Sequence, residues 1–170
     1  NITLKEIALS DVIDIFNLID SQREYLGKWL PFVAKTKDVS YTESYITSVL
    51  NAPKDRKEHN FTIRKQDKII GLIGFKSTSW INKKTEIGYW LSEKYQKQGI
   101  VTKSVQKLCA FAFSNLELNR IEIKCAVENY PSKNIPQKLG FIFEGVQREA
   151  ELVTENVFRD LEVYSKLKND

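Results

Sequence analysis

The sequence predicts an α+β fold, a mixed and mostly antiparallel central sheet flanked by helices. Three observations carry that prediction. Apolar residues recur at helical spacing early in the chain, at Val12, Ile15, Phe16 and Ile19 and again at Tyr45, Ile46, Val49 and Leu50. The period then changes to alternation around Phe61 and Ile63. From Thr85 onward the pattern reads strand, helix, strand, helix, and closes on two further strands.

Taken in order, Leu4, Glu6 and Ile7 read as a short first strand, and Ser10 as the cap of the first helix, with Asp11 and Asp14 in its first turn. The aromatic stretch from Tyr25 to Phe32 reads as a short helix ended by Pro31. Ser40-Tyr41-Thr42-Glu43 has the form of a capping box for a second amphipathic helix. Gln66-Asp67-Lys68 turns one strand into the next, which runs from Ile69 to Phe75. A third strand spans Thr85 to Leu91. A helix spans about Gly99 to Phe113, a strand Arg120 to Val127, and a short helix Ser132 to Leu139 with Gly140 just past its end. The last two strands lie around 143–151 and 158–167.

The 170 residues suit one domain, 1–170, with a sizeable core. No repeat, low-complexity tract or linker interrupts it. No apolar run approaches the roughly 20 residues that span a bilayer, and the charged, alternating start is unlike a signal peptide. A membrane role is not expected, and the reading is cytoplasmic. The net charge of +4 is mild, and no basic-aromatic stripe marks a nucleic-acid surface. Cys109 and Cys125 fit no metal spacing and read as buried free thiols. His59 is the only histidine, so no histidine-based metal site is expected.

The strongest local signal is Gln96-Lys97-Gln98-Gly99-Ile100-Val101-Thr102, a loop between a strand and a helix. A helix opening leaves backbone N–H groups unpaired. With the helix dipole they make an anion site. Gly99 permits a positive φ or close approach, and Lys97 and Lys103 add charge. The bland alternative is a glycine turn between solvated lysines. The loop has neither the P-loop nor the dinucleotide glycine pattern.

This segment resembles the signature of Gcn5-related N-acetyltransferases (GNAT), Gln/Arg-x-x-Gly-x-Gly/Ala, with Gln96 and Gly99 in place and Val101 departing from the small last residue. Further blocks are similar to the ribosomal-protein (RimJ/RimL) branch of that family. They are Glu-Ile-Gly-Tyr-Trp-Leu at 86–91, Asn129-Tyr130-Pro131-Ser132 ahead of Lys138-Leu139-Gly140-Phe141, Leu26 with Trp29-Leu30-Pro31, and the tail from Asp160 to Ser165. The resemblance implies a GNAT-type sheet and an acetyl-CoA cosubstrate without a metal. It implies a splay between the strands ending near Leu91 and Val127, with pantetheine along Trp90, Leu91 and Ser92. It puts pyrophosphate on Gln98, Gly99, Val101 and Thr102, within a loop that also holds Gln96, Lys97 and Ile100. Asn129 would orient a water or the pantetheine amides, or is an ordinary turn residue. The Trp90 side chain itself reads as core.

Amine acetylation needs a route for the amine proton, a proton for the leaving thiolate, and no covalent enzyme intermediate. Glu86 shares a strand face with Gly88 and Trp90, so burial could raise its pKa toward that of a base. The other reading is a structural carboxylate. Ser132 matches the serine that the family places near the thioester sulfur, or is a helix N-cap. Glu151 matches a proposed glutamate base of the branch, or is a solvated strand end. The acceptor read from the resemblance is a protein N-terminal amine, of ribosomal-protein type. The alternatives are a small amine (polyamine, amino acid or antibiotic) and a non-catalytic acyl-CoA-binding module. A homodimer is a further expectation, with Trp29 to Phe32 as its interface, as a substrate wall, or as core.

Overall fold

The computed structural model describes residues 1–170. It contains β1 (Ile2–Glu6), β2 (Asn60–Lys65), β3 (Lys68–Ser79), β4 (Lys84–Leu91), β5 (Arg120–Ala126), β6 (Ile142–Thr154) and β7 (Val157–Leu167). The helices are α1 (Val12–Asp20), α2 (Arg23–Gly27), α3 (Phe32–Lys35), α4 (Val39–Leu50), α5 (Ile100–Ser114) and α6 (Tyr130–Lys138). The strand order is β1-β2-β3-β4-β5-β7-β6. The pairs β1–β2, β2–β3, β5–β7 and β6–β7 are antiparallel, and β4–β5 is parallel. The fold is therefore α+β on a mostly antiparallel sheet, as the sequence predicts.

The chain divides into two compact units, Asn1–Gly74 with Tyr89–Ile100, and Phe75–Gly88 with Val101–Asp170. The first buries Ile7, Val12, Ile15, Ile19, Leu26, Val33, Ile46, Ile69 and Trp90 in one cluster, with Leu30 and Phe32 packed against it. Each such side chain contributes roughly 1.5–3 kcal/mol when fully buried. The β2–β3 hairpin turns on Gln66 and Asp67, both left-handed (φ 49° and 61°), the geometry whose twist suits a two-residue hairpin.

Three helix starts differ from the expectation, and two of them for one reason. Ser10 does not cap α1. It lies in a short 3-10 turn, Leu9–Asp11, and Asp11 precedes α1. The Asp11 carboxylate accepts the Ala8 N–H at 3.0 Å and the Arg64 guanidinium at 2.6 Å. Ser40 likewise lies inside α4, whose N-cap is Asp38, accepting the Ser40 N–H at 2.9 Å. In both places the neighbouring aspartate, not the serine, is the N-cap, and its carboxylate, the stronger acceptor, takes a nearby backbone N–H. Pro31 ends no helix. It is the N-cap of α3, where its missing N–H costs nothing. The Asp11–Arg64 pair is nearly buried (side chains 7% and 12% exposed), and removing one partner of such a pair costs about 3–5 kcal/mol.

In the second unit β7 is paired along both edges. It takes β5 from Arg120↔Leu167 to Ala126↔Leu161, and β6 from Ile142↔Ser165 to Thr154↔Val157. Across these strands runs a chain of alternating charge. Lys76 meets Glu86, Lys124 reaches both Glu86 and Glu122, and Arg120 bridges Glu122 and Glu144. The Glu144 carboxylate accepts two bonds from the Arg120 guanidinium (2.8 and 2.5 Å) and one from the Ser165 hydroxyl (2.7 Å). Arg120 first, and then Ser165, holds the Glu144 carboxyl down to about 2. A depressed carboxyl stabilises the fold above its unfolded value, and that contribution is lost as pH falls from about 4.5 toward 2. Urea titrations of the wild type and Glu144→Gln between pH 6 and pH 2 test this. The gap between their midpoints should be full at pH 6 and shrink through that window, and a constant gap would refute the assignment.

Candidate active site

The end of β4 is held from three sides within the first unit. Gly71 on β3 lies so close that a Cβ there would sit 2.3 Å from the Trp90 carbonyl oxygen and 3.0 Å from Leu91 Cα. The Ser92 N–H donates to the Ile70 carbonyl at 2.8 Å. Gln22 accepts the Ser92 hydroxyl (3.2 Å) and the Glu93 N–H (2.9 Å) on its side-chain oxygen. Trp90 turns its indole into the apolar cluster, and Leu91 and Ser92 are buried. These residues fix a backbone edge rather than offering side chains.

The following loop folds back on that strand. The Gln96 amide donates to the Leu91 carbonyl at 3.1 Å, and the Gln98 amide to the Lys94 carbonyl at 3.2 Å. Lys97 and Gly99 are both left-handed (φ 61° and 70°). A Cβ at Gly99 would meet nothing within 4 Å, so the turn opens onto free space just before α5 begins at Ile100. A left-handed glycine with room beside it, and a lysine two residues before it, thus precede the first residue of α5. Val101 is 8% exposed, and Thr102 follows it in the first turn of α5.

In the second unit Glu86 is 8% exposed and sits between cations, with Lys76 Nζ at 3.1 Å and Lys124 Nζ at 3.8 Å. It pairs in register with Glu122, at the end of a parallel pairing that covers three residues, Lys84–Glu86 with Arg120–Glu122. Glu151 faces Arg159 across the β6–β7 ladder and pairs with it at 2.9 Å, so it is not merely solvated. Ser132 lies in the first turn of α6 but is not its cap. Asn129 is, its side-chain oxygen accepting the Ser132 N–H at 3.4 Å. The Ser132 hydroxyl lies 3.3 Å from the Cys125 thiol. Both cysteines are free and buried, and burial pushes the Cys109 thiol up to about 12, far from a nucleophile's range.

Sequence reasoning singled out the loop and these three side chains but not their partners. Gly71, Lys76, Lys124 and Arg159 come from neighbouring strands, and Gln22 from the turn between α1 and α2, and no contiguous motif marks them.

The class of protein is an acetyltransferase. Residues 1–142 match the model of the acetyltransferase (GNAT) domain, and the chain belongs to that family of acetyl-CoA-dependent N-acetyltransferases. Within it the chain is 31% identical to the ribosomal-protein-serine acetyltransferase of Escherichia coli (strain K12), over 98% of this chain and 93% of the relative. The crystal structure of the microcin C7 self-immunity acetyltransferase MccE, bound to acetyl-CoA and AMP, is 30% identical. It superposes with a TM-score of 0.90 over 98% of this chain and 92% of that one. The ribosomal-protein alpha-N-acetyltransferase RimL in complex with coenzyme A gives 25% identity and a TM-score of 0.91, over 98% and 93% of the two chains. No helix is long and apolar enough to cross a membrane.

The open position at Gly99 generates a direct test. Gly99→Asp places a negative charge in the free space before α5 and strains a left-handed residue, whereas Gly99→Asn adds similar bulk without charge in a conformation asparagine tolerates. Titration calorimetry should show acetyl-CoA affinity falling at least about 10-fold further for the aspartate than for the asparagine, with both variants folded by circular dichroism. Equal affinities would remove the loop from the cofactor site.

Proposed function

We propose that this chain acetylates a protein N-terminal amine, of the ribosomal-protein kind, by direct transfer from acetyl-CoA in a single cytoplasmic catalytic domain. The observation that carries this reading is the full-length likeness to the ribosomal-protein-serine acetyltransferase. The likeness in fold to RimL supports it. A second reading, a small acceptor, draws on the equal likeness to MccE, whose structure holds AMP beside acetyl-CoA.

In the proposed chemistry the amine nitrogen forms the new C–N bond as the thioester C–S bond breaks. The held edge of Trp90, Leu91 and Ser92 lines up the pantetheine, and the loop from Gln96 to Thr102 takes the pyrophosphate. A carboxylate, Glu86 or Glu151, receives the amine proton through water. Each lies against a cation. Ser132 hands its hydroxyl proton to the leaving thiolate and regains one from solvent, as the carboxylate gives up the amine's proton to solvent. Asn129 sets the start of α6 and thereby the backbone that carries Ser132.

The acceptor is tested by supplying acetyl-CoA with peptides bearing serine, alanine or methionine N-termini, alongside spermidine, amino acids and aminoacyl nucleotides. Turnover should be highest on a peptide. Turnover confined to the nucleotide would favour the MccE-like reading, and binding without turnover on any acceptor would leave an acyl-CoA-binding module.

The base is tested by Glu86→Gln and Glu151→Gln, each of which keeps shape and removes proton affinity. The variant of the true base should lose about 10²-fold in kcat, with a much smaller change in acetyl-CoA affinity. If both retain full kcat at every pH, neither carboxylate serves. An acetylated enzyme, isolated without acceptor and able to pass its acetyl group on, would overturn direct transfer.

A further inference from the structure

Helix α6 carries Ser132 but is poorly built to hold it. It is nine residues long and contains Pro131 near its start and Pro136 inside. Pro136 has no N–H to return to the Ser132 carbonyl, so the bond that would close the turn around the serine is missing. Short helices hold their shape through tertiary packing rather than propensity. The tether for this turn must therefore come from outside the helix.

The tether is polar and converges on one carboxylate. Lys133, next to Ser132, donates to the Val127 carbonyl at 3.0 Å and pairs with Glu162 of β7 at 2.8 Å. The other Glu162 oxygen accepts the Tyr164 hydroxyl at 2.5 Å. That same hydroxyl accepts the Gln137 amide at 3.2 Å. Lys133 and Gln137 stand four apart on α6, so they share one helix face, and both reach the same stretch of β7. Glu162 also pairs in register with Cys125, the residue whose thiol lies 3.3 Å from the Ser132 hydroxyl. The helix turn and the strand residue that flank the hydroxyl thus both meet Glu162, one at its carboxylate and the other across the backbone ladder.

Lys133 and Glu162 are largely sheltered (side chains 14% and 13% exposed). Burial works against the charge on Glu162, and the Lys133 ammonium and Tyr164 hydroxyl outweigh it, holding the carboxyl below its ordinary value. Burial and then the Glu162 carboxylate push the Tyr164 phenol up to about 12, so Tyr164 remains a donor at neutral pH. An apolar pair of equal volume would hold a helix to a strand about as firmly. What an ion pair with a fixed second donor adds is a defined direction and distance.

We propose that Glu162, clamped between Lys133 and Tyr164, is a positioning residue that fixes the Ser132 hydroxyl for acetyl transfer. The inference rests on the reading of Ser132 as the proton donor to the leaving thiolate. It adds a charged clamp, specific to this helix, to the machinery of the reaction.

The test is a double-mutant cycle on the full chain, with kcat and KM for acetyl-CoA measured together and urea midpoints alongside. Glu162→Gln should lower kcat about 10-fold with KM for acetyl-CoA changed less than about 2-fold. In a Ser132→Ala background the same substitution should change kcat by less than about 2-fold, because its target is already gone. Lys133→Met should reproduce the Glu162→Gln loss, and Lys133→Arg should restore most of kcat. These Lys133 variants carry the test if Glu162→Gln does not fold. A 10-fold loss that persists undiminished in the Ser132→Ala background would overturn the inference, as would a full kcat in folded Glu162→Gln. Full kcat in Ser132→Ala alone would instead strike down the role of Ser132, and the clamp's role with it, leaving the acetyltransferase activity intact.

Discussion

The three-residue parallel pairing between β4 and β5 shapes the rest of the molecule. Antiparallel neighbours can be joined by a two-residue turn, as β2 and β3 are, but parallel ones require the chain to cross back. Here the return is made by the loop from Ser92 to Gly99 and the 15 residues of α5. A crossover of this kind sets a helix N-terminus just beyond the carboxyl end of a strand, the place where open sheets collect anionic ligands. The loop between β4 and α5 thus follows from strand direction. The pairing is also brief, and Glu86 stands at its last position.

Within each unit the candidate side chains have fixed neighbours. Glu86 lies between two lysines, Glu151 faces an arginine, and Ser132 rests on a helix start held by Asn129. The strand edge ending at Leu91 is fixed by Gln22, Gln96 and the tight approach at Gly71. Acetyl transfer depends on orientation, and contacts of this kind restrict the orientations a side chain can take.

Much of this could be read in the sequence where the signal is local. The α4 and α5 stripes, the β2–β3 turn, the glycine loop and Gly140 after α6 all follow from spacing and turn chemistry. Helix starts were harder to read. Serine and aspartate stand side by side at Ser10-Asp11, and two apart at Asp38-Ser40, and composition alone does not say which residue heads the helix; in the structure both N-caps are aspartates. Partners of the site residues were not legible either. Lys76 and Lys124 meet Glu86 through strand placement, and Lys133 meets Glu162 across 29 positions of chain, a separation no periodicity reveals. The Asn-x-x-Ser block drew attention to Ser132, but the cap belonged to the asparagine at its head.

Gly71 has a consequence for how such chains can diverge. Any side chain there would drive a carbon to within 2.3 Å of the Trp90 carbonyl oxygen, which is backbone and cannot rotate aside. Substitution at this position is therefore not a graded change open to gradual drift. A descendant carrying another residue at 71 must also have moved β4, and with it the edge along which a thioester arm would lie. The glycine acts as a latch: the distance between these two strands holds only while position 71 carries no side chain.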